Sequence, residues 1–223
     1  MTKKEILKKT EDFVKEKMSG EGTGHDFWHV VRVRNTALKI AKEEKVDLYI
    51  VELASLLHDI ADHKFYDGDR TVGPKIAREF LENLGVDNKV IEHVINIISN
   101  MSFHKSIDGK TLFTSKELKV VQDADKLDAM GAIGIARAFA YGGLRQREIH
   151  NPNIKVVKYK TSREYNDNQI GKTTGTTINH FYEKLLKLKS LMNTKAGKRI
   201  ANQRHKFLEL YLKNFFAERE GKK

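Results

Sequence analysis

Apolar residues recur along this 223-residue chain at three- and four-residue spacing almost from end to end, the period of helices that each bury one side. Only two prolines, Pro74 and Pro152, interrupt the pattern, which predicts an all-α protein. The first helix opens on a capping box of Thr2 and Glu5 and fades at Gly20. A second runs over about 26–44, with Phe27, Val30, Val31, Leu38 and Ile40 on its apolar side. A third begins after Asp47 and passes through Leu53, Ala54, Leu56 and Leu57 into His58 and Asp59. Two shorter helices follow, one over about 72–84 stopped by Gly85, the other capped by Asp87 and running to Asn100.

After a loop around 106–110, Thr114 and Glu117 offer a second capping box, and a long helix is expected from there to Gly142 and Gly143. Its stretch 131–136 is small and apolar, which suits close packing against a neighbour. From 144 to 175 the chain turns polar, basic and non-periodic, as a long surface loop or lid would be. Two helices, roughly 177–192 and 194–218, close the chain. The pattern holds no internal repeat and no convincing linker. It is read as a single helical domain over residues 1–223, about eight helices in all.

Composition narrows the setting. No apolar run reaches membrane-spanning length, and the N-terminus lacks the uninterrupted apolar stretch of a secretory signal, so a cytoplasmic protein without membrane contact is expected. With no cysteine, disulfides and thiolate metal ligands are excluded. The formal charge of +11 favours anionic partners: phosphorylated small molecules, nucleic acid or an acidic surface. The basic residues are spread through every segment, without an Arg-rich arm or a stripe interleaved with aromatics, which disfavours nucleic acid.

The candidate chemistry lies in histidines and aspartates set inside otherwise packable helices. His25 and His29 are one turn apart, with Arg32 three residues further along the same face. His58 and Asp59 end an apolar run, where a polar pair is costly unless something compensates it. Asp62 and His63 follow four residues later, and Asp125 and Asp128 recur three apart. Two imidazoles and two carboxylates without a thiolate make a mixed nitrogen and oxygen site suited to Mn²⁺, Fe²⁺, Co²⁺, Ni²⁺ or Zn²⁺. A GKT triplet at 171–173 lacks the upstream glycine and preceding strand of a phosphate loop and is set aside.

The order His29, His58-Asp59, Asp125, with the flanking segments 25–33, 57–62 and 123–131, resembles the HD-domain superfamily of metal-dependent phosphohydrolases. The resemblance covers about residues 20–215, and its flanks are similar to the small bacterial YedJ/YpgQ-like subgroup. It implies a helical core over about 20–143 around a divalent ion, held by His29, His58, Asp59 and Asp125. Mn²⁺ is the first choice of metal, with Mg²⁺ also admitted, and the C-terminal helices 177–218 close the pocket. Asp62 is the candidate for orienting or deprotonating the attacking water, against a plain hydrogen-bonding or surface role. His25, Arg32, Lys64, Lys126, Asp128, His180, Lys184 and Arg204 are the candidates for gripping substrate, each weighed against an ordinary surface charge. His93 and His104 could add ligands for a second ion, and the role of His63 stays open.

The implied reaction is pyrophosphohydrolysis of a nucleoside or deoxynucleoside triphosphate. A nucleoside monophosphate phosphatase and a signalling-nucleotide hydrolase are alternatives. A non-catalytic nucleotide or nucleic-acid binding module is the competing class, motivated by the charge. Oligomeric state is open, a homodimer included.

Overall fold

The computed structural model describes residues 1–18, 26–61, 69, 71–101, 113–159 and 175–223. Nine α-helices and one 3-10 segment account for the regular structure of the described residues, in agreement with the all-α expectation. None of these helices is long and apolar enough to cross a membrane. Their contacts form two compact units, Met1–Ala124 and Asp125–Lys223.

In the first unit, α1 (Lys3–Lys17) starts as read from sequence. The Thr2 hydroxyl accepts from the Glu5 amide, and the Glu5 carboxylate accepts from the Thr2 amide. Helix α2 (Phe27–Glu44) is capped by Asp26, whose carboxylate accepts from the His29 amide at 2.8 Å. It buries Val30, Val33, Ala37, Ile40 and Ala41 completely, whereas Val31 and Leu38 lie only partly covered at the edge of that stripe. Helix α3 (Leu48–Leu57), capped by Asp47, packs against α1, α2 and the later α5 (Asn88–Ser99). Val51, Leu53, Ala54, Leu56 and Leu57 are all fully buried, so this is the central helix of the unit. Leu53, Leu56 and Leu57 each contribute roughly 1.5–3 kcal/mol by leaving water.

Arg34 donates to Glu52 and lies 3.3 Å from Glu11, fastening α1, α2 and α3 together. Helix α4 (Val72–Asn83) packs on α5 and ends where Gly85 takes a φ of +68°. Helix α6 (Lys116–Asp128) starts one residue later than the Thr114 reading predicts. The Ser115 hydroxyl accepts from the Leu118 amide, and Glu117 instead accepts from the Asp47 amide across the unit.

The single long helix expected from 114 to 143 is broken in two. Helix α6 stops at Asp128, and α7 (Gly131–Leu144) begins after an extended Met130. Gly131 sits at φ +70°, a left-handed conformation that ends one helix and is costly for residues with a Cβ. The small residues of 131–136 therefore serve a tight turn: a Cβ on Gly134 would collide with the Ala129 carbonyl.

In the second unit, the expected helix over 177–192 is likewise divided. α8 (Thr177–Glu183) gives way at Lys184 to a 3-10 segment, Leu185–Leu191. Helix α9 (Lys195–Arg219), capped by Thr194, packs on α7 and on the 3-10 segment. Phe181, fully buried, stacks on Tyr211 and meets Phe139. The first half of the expected lid, residues 145–159, carries no helix and is tied to α8. The Thr177 and Ile178 amides donate to the carbonyls of Glu148 and Ile149, and the Asn179 side chain donates to the Ile154 carbonyl. Residues 160–174 lie outside the described residues.

Candidate metal centre

The amphipathic register of α2 turns His29 inward on its first turn, where it is wholly buried. At the far end of α3, His58 is the residue that closes the helix, and its side chain is 2% exposed. Its Nδ1 lies 2.8 Å from the Ser55 carbonyl oxygen, one turn back on the same helix. Since a carbonyl can only accept, Nδ1 carries the proton and Nε2 keeps its lone pair. The Asp59 carboxylate comes next: one oxygen lies 3.5 Å from His29 Nε2 and 3.7 Å from His58 Nε2. The two imidazole centroids are 5.4 Å apart and inclined at 60°.

Asp125 lies in the last turn of helix α6 (Lys116–Asp128) and is partly exposed. His29, His58 and Asp125 each offer one ligand atom, and these atoms lie within 4.8 Å of one another. Two neutral imidazole nitrogens and carboxylate oxygens at this spacing form a donor set that fits a divalent first-row ion. Among the described residues this is the one such grouping.

The other predicted residues fall in several places. His25, Asp62, His63, Lys64 and His104 lie outside the described residues. Arg32 is half-buried on α2, one turn beyond His29, and Lys126 is half-buried beside Asp125. His93 sits 3.4 Å from Glu117 with its ring against Phe113, apart from the metal grouping. Asp128 is nearly inaccessible and accepts from Arg137 at 2.7 Å. Arg204 donates to the Leu127 carbonyl oxygen, and burial lowers its pKa against the opposing charge of Asp128. Sequence reasoning does not single out Ser55, Arg137 or Arg147. A backbone carbonyl acceptor has no sequence signature, and Arg137 lies nine residues from Asp128 across a helix break that the periodicity does not reveal.

His180 and Lys184 stand at the end of α8, with Arg147 close enough to act on His180. Burial, reinforced by the positive charges of Lys184 and Arg147, pushes the His180 imidazole down to about 3. At neutral pH it is therefore an uncharged hydrogen-bonding group, while positive charge near it comes from Lys184 and Arg147. The unfolded chain titrates near about pH 6.5, so below that value the folded protein binds fewer protons than the unfolded one. The resulting stability is complete above about pH 6.5 and is lost as pH falls toward the folded value. Urea midpoints measured from neutral pH into the acid range are expected to decline, and to decline less steeply in His180→Gln. Equal slopes in the two proteins would assign the acid sensitivity to other groups.

With this geometry in place, comparison with known proteins gives a consistent picture. The HD domain family model matches residues 27–130. The chain is 38% identical to YpgQ of Bacillus subtilis over 86% of its own length and 82% of that protein. A crystal structure from Lactobacillus plantarum matches with a TM-score of 0.80 and 34% identity, covering 99% of this chain and 100% of that one. An HD-superfamily hydrolase from Bacillus thuringiensis matches at 0.76 and 40%, covering 98% and 99%. YpgQ in complex with ADP matches at 0.72 and 31%, covering 98% and 97%.

Proposed function

This chain belongs to the HD-domain family and is a metal-dependent phosphohydrolase, and we propose that it converts a nucleoside or deoxynucleoside triphosphate to the monophosphate and pyrophosphate. The observation that carries the nucleotide part of this reading is the complex of the relative YpgQ with ADP. The net charge of +11 supports a polyanionic substrate. The basic residues of the second unit, Lys184 and Arg147 around His180, supply more positive charge than a single phosphate would call for.

His29, His58, Asp59 and Asp125 are the residues that would hold the ion, with Mn²⁺ the preferred metal. When bound, such an ion supplies Lewis acidity toward phosphoryl oxygens and lowers the pKa of water. The Nδ1 bond from His58 to Ser55 keeps its ring in the ligating tautomer. Asp62 is assigned to orient the attacking water and take its proton. Oxygen then attacks the α-phosphorus in line, the bond from that phosphorus to the bridging oxygen breaks, and pyrophosphate leaves. Arg32 and Lys126, with His25, Lys64, His180 and Lys184, are assigned to the phosphate oxygens, where Arg can bond in a bidentate fashion.

The test is a panel of ribo- and deoxyribonucleoside triphosphates with Mn²⁺, quantifying pyrophosphate and inorganic phosphate separately, beside a chelated control. Pyrophosphate in step with monophosphate, abolished by chelation, is the expected result. Inorganic phosphate alone would overturn the pyrophosphohydrolase reading and move the assignment to a nucleotidase. No product from any triphosphate would shift it to signalling nucleotides.

A further inference from the structure

The segment 125–131 contains one residue assigned to the metal and several whose side chains do something else. Helix α6 ends at Asp128, so its last carbonyls take their hydrogen bonds from outside the regular helical ladder. The Lys126 and Leu127 carbonyls accept from the Ala129 and Met130 amides at 3.2 and 3.0 Å. The Leu127 carbonyl receives a second hydrogen bond at 2.5 Å, from Arg204 Nη1 on α9. A guanidinium at the C-terminal end of a helix also opposes the partial negative charge there.

The stem of Arg204 is fixed as firmly as its head. Arg204 lies four residues after Ile200 and four before Leu208, both buried, so it shares the inward stripe of α9. A Cβ on Gly131 would approach Arg204 Cγ and Cβ to 3.1 and 3.2 Å, so the arginine stem crosses the backbone where the chain carries glycine. The Asp128 carboxylate accepts from Arg137 on α7, and its negative charge also acts on Arg204.

We infer that Arg204 is a positioning residue for Asp125: by bonding the Leu127 carbonyl and packing over Gly131, it holds the final turn of α6 in the register that presents the Asp125 carboxylate. The inference rests on the reading of Asp125 as a metal ligand. A carboxylate three residues upstream of a frayed helix end would move with it, and small displacements in a ligand set are costly. Arg204→Met keeps the stem and removes the donor, and Arg204→Lys retains a charge without the planar fork.

In the metal-free full-length protein, Arg204→Met is expected to lose hydrogen-exchange protection at the Ala129 and Met130 amides. Calorimetric titration should show its Mn²⁺ affinity weakened about 10- to 100-fold, the effect of removing a residue that orients a ligand. Arg204→Lys should recover part of both losses, and it carries the test alone if the methionine variant does not fold. In turnover, kcat at limiting Mn²⁺ should fall with little change in the nucleotide KM. Unchanged Mn²⁺ affinity with a raised KM would overturn the inference and make Arg204 a substrate contact. Unchanged affinity and KM with a lowered Tm would overturn it and leave a purely structural residue. Wild-type protein that binds no Mn²⁺, while the protection loss in Arg204→Met is still seen, would fail the metal reading and leave the helix clamp intact.

Discussion

Asp125→Ala is expected to lower metal-dependent turnover by about a thousandfold or more while leaving the helical content unchanged. Charge is the first reason. The candidate donor set has two neutral imidazoles and two carboxylates, so removing Asp125 takes half of its negative charge together with one of its ligand atoms. A bound ion contributes several kcal/mol to stabilising charge on a phosphoryl group, and each ~1.4 kcal/mol is a factor of ten in rate. The fold should tolerate the change, since Asp125 is half-exposed and its helix is anchored by Val120, Val121, Ala124 and Leu127, all fully buried. The check combines steady-state turnover at saturating Mn²⁺, metal content of the purified variant, and far-ultraviolet circular dichroism. A variant that keeps its metal and more than a tenth of the wild-type rate would remove Asp125 from the ligand set.

Phe181→Ala is expected to be the most destabilising single substitution in the second unit, by about 3–5 kcal/mol. The ring is completely buried. It lies 5.6 Å from the Tyr211 ring and nearly parallel to it, with Phe139 at 6.1 Å on another side. Truncation removes the transfer energy of a large side chain, leaves a cavity, and dissolves two aromatic contacts each worth about 0.5–1.5 kcal/mol. Helix α8 has only seven residues and cannot persist on its own propensity, so its place depends on this packing. Urea denaturation followed by circular dichroism and tyrosine fluorescence measures the loss. A shift equivalent to less than about 1 kcal/mol would mean that the site collapses around the missing ring, contrary to the close packing of these aromatics. His180 and Lys184 ride on the same short helix and its cap, so a weakened α8 should also raise the nucleotide KM.

Local rules account for most of what is legible in the amino-acid sequence. The starts of α1, α2, α3 and α5 follow from Thr2, Asp26, Asp47 and Asp87, because a cap is an interaction between residues two or three apart. The helix-stopping role of Gly85 is local in the same way. Where the chain departs from its local pattern, a longer-range interaction accompanies the change. The helix expected to run through 131 breaks at Gly131, whose left-handed φ is combined with the stem of an arginine 73 residues later in the chain. The expected helix over 177–192 divides at Lys184, next to a segment held by Asn179 and Glu183, which bond back to residues 154 and 157.

The candidate site divides along the same line. Sequence alone determined that the protein is helical and that His29, His58, Asp59 and Asp125 are set against apolar neighbours where bare polar groups are costly. It also determined, through their order and flanks, the family to which the chain belongs. Only the tertiary structure decided that His58 holds its Nδ1 proton toward the Ser55 carbonyl, that Asp128 accepts from Arg137, and that Arg204 binds the end of α6. The physical reason is range. Burial period and capping act over one turn of helix and are written into neighbouring residues, whereas the partner of a polar side chain is chosen by whichever donor or acceptor the packing brings within about 3 Å.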